Sequence, residues 1–271
     1  MRRTPRRPEA WLVALGSISL AARSVLALDG NELTLPTFCT AGTPGAVPLS
    51  VSFDLAFRFG SPATLASCWA LMVAAMMFPL LVAPLQHVRD RSFARRRTRS
   101  MLLFVAGYMA VWMTTSVGLQ AMVLALRWVA PPALACLSLA AATAAVWQIS
   151  PAKQWCLNRC HRRPHLAAFG AAADHDAFDF GLRHGASCAG ACWALMLLTL
   201  LVGNSHVLWM IVVTLFVFAE RLETPASLGW RCRAPRKALR IVTAQTRIKL
   251  ASWRGIMFRT RSSGLRANWM S

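Results

Sequence analysis

The chain has 271 residues, is 56% hydrophobic and carries a formal charge of +20. A soluble domain has no use for both extremes, whereas an integral membrane protein places apolar residues in hydrocarbon and cations along one face. Long unbroken apolar runs, in place of alternating ten-residue segments, exclude a β-barrel and predict an all-α, polytopic membrane protein of about six transmembrane helices.

In chain order, Arg2, Arg3, Arg6 and Arg7 precede a first apolar run near 11–28, which Arg23 interrupts. Residues 1–28 therefore read as a first span, either a retained anchor or a signal cleaved after Ala27. Residues 29–61, mixing Gly, Pro, Thr and acidic residues, read as an external loop. Residues 62–222 form a multi-helix membrane domain, with spans expected near 62–85, 101–126, 129–150, 185–203 and 206–222. Arg127–Pro132 makes an external hairpin, Pro151–Arg183 an inner connection, and Gly203, Asn204 and Ser205 an external turn.

The cations sort to one side of this topology. Arg89, Arg91, Arg95, Arg96, Arg97 and Arg99 lie between the second and third spans, and Lys153, Arg159, Arg162, Arg163 and Arg183 between the fourth and fifth. The positive-inside rule makes that side, and both termini, cytoplasmic. Trp11, Trp69, Trp128, Trp147, Trp155 and Trp209 fall near expected span ends and read as interfacial anchors, and His206, Glu220, Gln120 and Gln148 read as interfacially exposed.

Residues 223–271 form a basic cytoplasmic tail. Leu239, Val242, Leu250, Trp253 and Met257 share one helical face and Arg236, Arg240, Arg247 and Arg254 another, which suits an interfacial helix on anionic lipid. Ile241, Ile248 and Lys249 break the pattern, so a disordered tail is an equal reading. No aromatic platform accompanies the charge, and nucleic acid is not expected as a partner.

The chemistry concentrates in cysteine. Cys156 and Cys160 are four residues apart after the fourth span; His184, Cys188 and Cys192 repeat that interval into the fifth. A spacing of four returns to nearly the same helical face, so each set forms a stripe, and the inner ends of the two spans bring the stripes to one membrane edge. Cys156, Cys160, Cys188 and Cys192, with His184 or His161 as substitutes, make a candidate tetrahedral metal site. Cys136 and Cys232 read as small apolar residues, and Cys39 has no evident partner.

Soft atoms continue along the membrane normal. Cys68, Met72 and Met76 repeat the four-residue step, Met77 and Pro79 lie beside them, and Met196 follows Cys192 by four. Thioethers with thiolates suit Cu(I) better than zinc, although zinc fits the thiols alone. Ordinary gap-filling methionine is the competing explanation. Gly181, Gly185 and Gly190 permit close helix approach in either case. The cluster His161, His165, Asp174, His175, Asp176 and Asp179 reads as a solvated loop. No phosphate loop, nucleophile–base pair or zinc-protease motif is present, so no enzymatic activity is expected.

Several segments resemble the bacterial predicted metal-binding integral membrane proteins, some of which are labelled copper chaperones. They are Ala75-Met76-Met77-Phe78-Pro79, Gly107-Tyr108 with Trp112, Pro151 and Lys153 leading to Cys156-Leu157 and Cys160, Gly181-Leu182-Arg183-His184-Gly185 with Cys188 and Gly190, Cys192-Trp193-Ala194-Leu195-Met196, and Trp209-Met210 with Glu220. The resemblance implies a multi-helix protein of the inner (plasma) membrane with a metal site. Two departures stand out: Ala191 occupies the first of two positions where the family has adjacent cysteines, and His206 replaces a common Asn.

The expected function is binding and handling of a soft metal, copper before zinc. A non-catalytic membrane scaffold whose cysteines only pack is the alternative, and thiol redox chemistry ranks last because Cys-x3-Cys within one helix holds sulfurs awkwardly for a disulfide.

Overall fold

A computed structural model describes residues 15–22, 24, 62–202, 206–231, 233, 235–241 and 243–246. Among these, all regular structure is helical. The elements are α1 (Pro62–Met77), a 3-10 turn (Phe78–Leu81), α2 (Val82–Arg91), α3 (Arg97–Val129), α4 (Ala133–Ile149), α5 (Pro151–Cys160), α6 (Gly170–Leu201) and α7 (His206–Arg221). The expected external loop 29–61, the turn 203–205, and Cys39, Cys232 and Trp11 lie outside the described residues.

Three helical segments are long and apolar enough to cross a membrane: Ala66–Arg91, Arg97–Val129 and Gly170–Leu201. A fourth is formed if α4 and α5, bent by 64° at their junction, count as one broken span. The bend has a local cause. Pro151 opens α5 without an N–H to give, and Ser150 caps it by accepting from the Lys153 backbone N–H at 3.2 Å. Pro79 and Pro84 similarly interrupt the α1–α2 segment with a 3-10 turn.

The connection expected from Pro151 to Arg183 is mostly helical. Its first third is α5, and residues from Gly170 onward belong to the 32-residue α6, about 48 Å long at the usual rise. Its acidic residues are correspondingly engaged. Asp174 pairs with Arg96 and Arg99, each at 2.7 Å, Asp179 pairs with Arg183 at 2.8 Å, and Asp176 accepts from the Ala167 N–H at 2.9 Å.

Packing centres on α6, two-thirds of whose apolar window is buried, and its most extensive contact is with α3. Glycine makes that contact possible. A β-carbon on Gly107 would collide with the Phe178 carbonyl, and one on Gly181 with the Phe104 carbonyl. Gly185 sits against Tyr108, where a β-carbon would come within 3.2 Å of its carbonyl oxygen. The close approach foreseen at Gly181 and Gly185 is therefore present, with Gly107 as its counterpart.

Two of the expected tryptophan anchors face inward instead. Trp69 is buried and donates to the Trp112 carbonyl at 2.9 Å; half-buried Trp147 donates to the Gly190 carbonyl at 3.0 Å and meets Trp193 edge-on. Trp128 and Trp155 are exposed. The N-terminal helical residues 15–22 dock on α1, where Ser19 donates to the Ala75 carbonyl at 2.8 Å.

The chain following α7 turns back along α5. Asn158 exchanges two hydrogen bonds with the Ala226 backbone (2.7 and 3.1 Å), and Gln154 donates to the carbonyls of Gly229 and Arg231. The tail thus begins as a strap. Helical residues 236–241 and 243–246 follow, with Leu239 and Ile241 exposed.

Candidate metal centre

Helices α5, α6 and α7 meet where the cysteine stripes were expected to converge. His184, Cys188 and Cys192 lie on the buried face of α6, as the four-residue spacing requires. Cys188 is fully buried. Its sulfur lies 3.1 Å from the Tyr108 hydroxyl and 4.0 Å from the Met77 thioether. Tyr108, the chain's single tyrosine, is itself fully buried, so the Cys188 sulfur is its chief polar neighbour. Cys192 turns its thiol to the Cys188 carbonyl at 3.1 Å and lies beside the Cys188 sulfur.

His184 occupies an aromatic box formed by Phe104, Tyr108 and Phe180, with ring centroids about 6 Å away. Its Nε2 faces the Arg221 Nη1 at 3.4 Å. Since arginine only donates, this nitrogen presents its lone pair and the ring proton belongs on Nδ1. A metal taking Nε2 would displace Arg221 from it.

Arg221, the last residue of α7, is the centre's cation. Its guanidinium acts electrostatically on Cys188, Cys160, Tyr108 and Cys192. Its Nε and Nη2 are shielded from solvent and find no hydrogen-bond partner among the described residues. Buried donors rarely go unsatisfied, and a guanidinium among thiols stabilises whichever of them becomes a thiolate.

Immediately before it, Glu220 is handled in the opposite way. The carboxylate, 2% exposed, meets the Lys153 ammonium, 1% exposed, at 2.5 Å and accepts from Gln148 Nε2 at 2.7 Å. The sequence reading of Glu220 and Gln148 as interfacial is thereby corrected. Lys153, one of the cations of the connection between the fourth and fifth spans, enters the interior because the bend at Ser150–Pro151 turns the first turn of α5 inward.

The other expected ligands are distributed unevenly. Cys160 is half-buried and shares the Arg221 field with Cys188, whereas the Cys156 sulfur rests on Gly190, where a β-carbon would come within 2.7 Å of it. His161 directs Nδ1 to the Leu157 carbonyl (2.9 Å) and Nε2 to the Arg221 carbonyl (3.0 Å), so neither ring nitrogen faces the thiols. Met72, Met76, Met77, Met196 and Cys68 are all buried, and Met77 is the one that reaches Cys188. Among the described residues no three Cys, His, Asp or Glu side chains converge as a ready-made metal site, so the tetrahedral set of four cysteines is not preassembled.

Arg221 and Tyr108 were missed as members of the centre. Arg221 has a sequence signal in its place directly after an apolar run and beside Glu220. Tyr108, unique in its type, lay in a quoted motif without a role.

The sequence pattern of PpoB2, described as copper chaperone, matches residues 66–234, from α1 through the strap behind α7. The chain belongs to this copper chaperone family. It matches no curated protein and no solved structure. The PpoB2 match encloses every member of the cluster described above, including Arg221, Tyr108 and the Lys153–Glu220 pair.

Proposed function

We propose that the protein binds Cu(I) at the junction of α5, α6 and α7 and passes it on, as a non-catalytic membrane copper chaperone. Cys188 is the principal ligand, with Cys160, Cys192 and His184 completing the coordination and Met77 as the neighbouring thioether. The observation that carries this reading is the buried Cys188 sulfur, held among the Tyr108 hydroxyl, the Met77 thioether and the Arg221 guanidinium in a copper chaperone family. Soft donors select Cu(I), and Cu(I) accommodates fewer ligands than the closed tetrahedron of a structural zinc site. A centre whose ligands are near one another but not locked together suits a cargo that must leave. Cys156 and His161 would have to abandon their present partners to join it.

The same reading places the chain in a bacterial inner membrane with six spans and both termini cytoplasmic, counting residues 11–28 and α7 as spans. Met76, Met72, Met196 and Cys68 then form an onward path for Cu(I), and the basic tail lies on anionic lipid.

Protein purified under reducing conditions is expected to retain about one equivalent of copper per chain. The double variant Cys188→Ser/Cys192→Ser should retain almost none. If the two are indistinguishable in copper and zinc, the proposal fails.

A scaffold whose cysteines only pack is favoured by one observation: the sulfurs of Cys156, Cys188 and Cys192 have different nearest partners. That reading predicts that the double variant changes stability but not metal content.

A further inference from the structure

At the edge of the thiol cluster is a cavity of about 360 Å³, with Arg159, Arg162, Arg163 and Arg183 among its walls and buried His184 and Ser187 at its floor. Arg183 is paired with Asp179, and Arg159 lies over the Trp155 ring at 4.2 Å. Among the described residues no carboxylate pairs with Arg162 or Arg163. The cavity is therefore strongly positive where it approaches the centre, and it repels a bare cation. Its volume is also that of a small-molecule site and far exceeds what one ion needs.

Resting on the copper reading above, we propose that this cavity receives Cu(I) as an anionic complex of a small carboxylate-bearing thiol. The arginines take the carboxylates, for which the guanidinium fork is well shaped, and the apolar wall of Phe180 takes the carrier's stem. The complex then lies against His184, one helical turn from Cys188. Transfer is ligand exchange. The copper–sulfur bond to the carrier breaks, a copper–sulfur bond to Cys188 forms, and the Cys188 thiol proton leaves with the carrier's sulfur. Copper stays Cu(I), so no oxidant or reductant is required.

The test uses the full chain in nanodiscs of zwitterionic phosphatidylcholine, with loading followed by stopped flow. Cu(I) is offered as its complex with glutathione, which is anionic, or with cysteamine, which is cationic. Loading from glutathione should be at least about tenfold faster, and added salt should reduce the difference. Arg162→Gln/Arg163→Gln, at two exposed positions outside the helices, should remove most of that advantage while copper content at equilibrium stays at the wild-type value. Normal copper content with loading rates blind to carrier charge, or unchanged in the variant, would overturn the inference and leave the copper reading intact. If neither carrier loads any copper, both fail. If anionic lipid in the disc blocks loading and the variant relieves the block, the cavity belongs to a lipid headgroup and the inference is again overturned.

Discussion

Glu220 and Arg221 are consecutive residues at the end of α7, and the fold treats their charges in opposite ways. Glu220 is closed: its carboxylate is buried against Lys153 and Gln148. Arg221 is open, with two guanidinium nitrogens shielded from water and unbonded among the described residues, beside Cys188, Cys160 and Cys192. A satisfied ion pair fixes the relative position of α5 and α7. A cation with no carboxylate partner among the described residues, set beside thiols, favours negative charge on sulfur, the form in which sulfur binds a metal. On the proposed copper reading, the difference separates a charge that holds the structure from one that acts on the thiols of the candidate centre.

The largest expected effect is on the closed side. Lys153→Ala or Glu220→Ala leaves a buried charge without its partner and should destabilise the protein by about 3–5 kcal/mol, measured by denaturant unfolding in detergent. Replacing both, as Lys153→Met/Glu220→Leu, should recover most of that loss. Equal stabilities for the single and double variants would mean that the pair is not coupled.

At the α3–α6 crossing, Gly181→Ala puts a β-carbon into the Phe104 carbonyl and should cost about 1–3 kcal/mol, as overpacking does. Gly118→Ala, on the same helix as Phe104 but with open space around it, provides the control and should not destabilise. A similar loss at both positions would show that the close approach is not what glycine provides.

The smallest structural effects are expected at the methionines. Met77→Leu nearly conserves volume, so stability should change by less than about 1.5 kcal/mol, while copper should dissociate faster because the thioether beside Cys188 is gone. Met72→Leu/Met76→Leu/Met196→Leu should leave copper content unchanged and alter copper accumulation or tolerance in cells. If that triple variant behaves as wild type in every assay, those methionines are packing and the onward path is wrong.

How much of this was legible in the sequence depended on periodicity. The α6 stripe of His184, Cys188 and Cys192 and the apolar length of α3 follow from spacing and composition, which hold wherever the helix is regular. Spacing shows that Cys156 and Cys160 share a face but not which neighbour each meets; the Cys156 sulfur meets Gly190. The Lys153–Glu220 pair spans 67 positions, and no local pattern links the two. A nearer signal was available in Ser150-Pro151, an N-cap followed by proline at the first helical position, which marks the start of α5 within what otherwise reads as a loop. Arg221 is obscured by its neighbours: in a chain with 30 lysines and arginines, one half-buried cation resembles the solvated ones.

The most direct test of the account compares the two consecutive residues in one experiment, measuring unfolding free energy and Cu(I) affinity for Glu220→Gln and Arg221→Met. Glu220→Gln should lose stability while its folded fraction binds Cu(I) as wild type does. Arg221→Met should keep most of its stability and bind Cu(I) more weakly by on the order of tenfold, the worth of one charge-assisted contact. Wild-type Cu(I) affinity in Arg221→Met, or loss of stability and affinity together in both variants, would contradict the division between the closed charge and the open one.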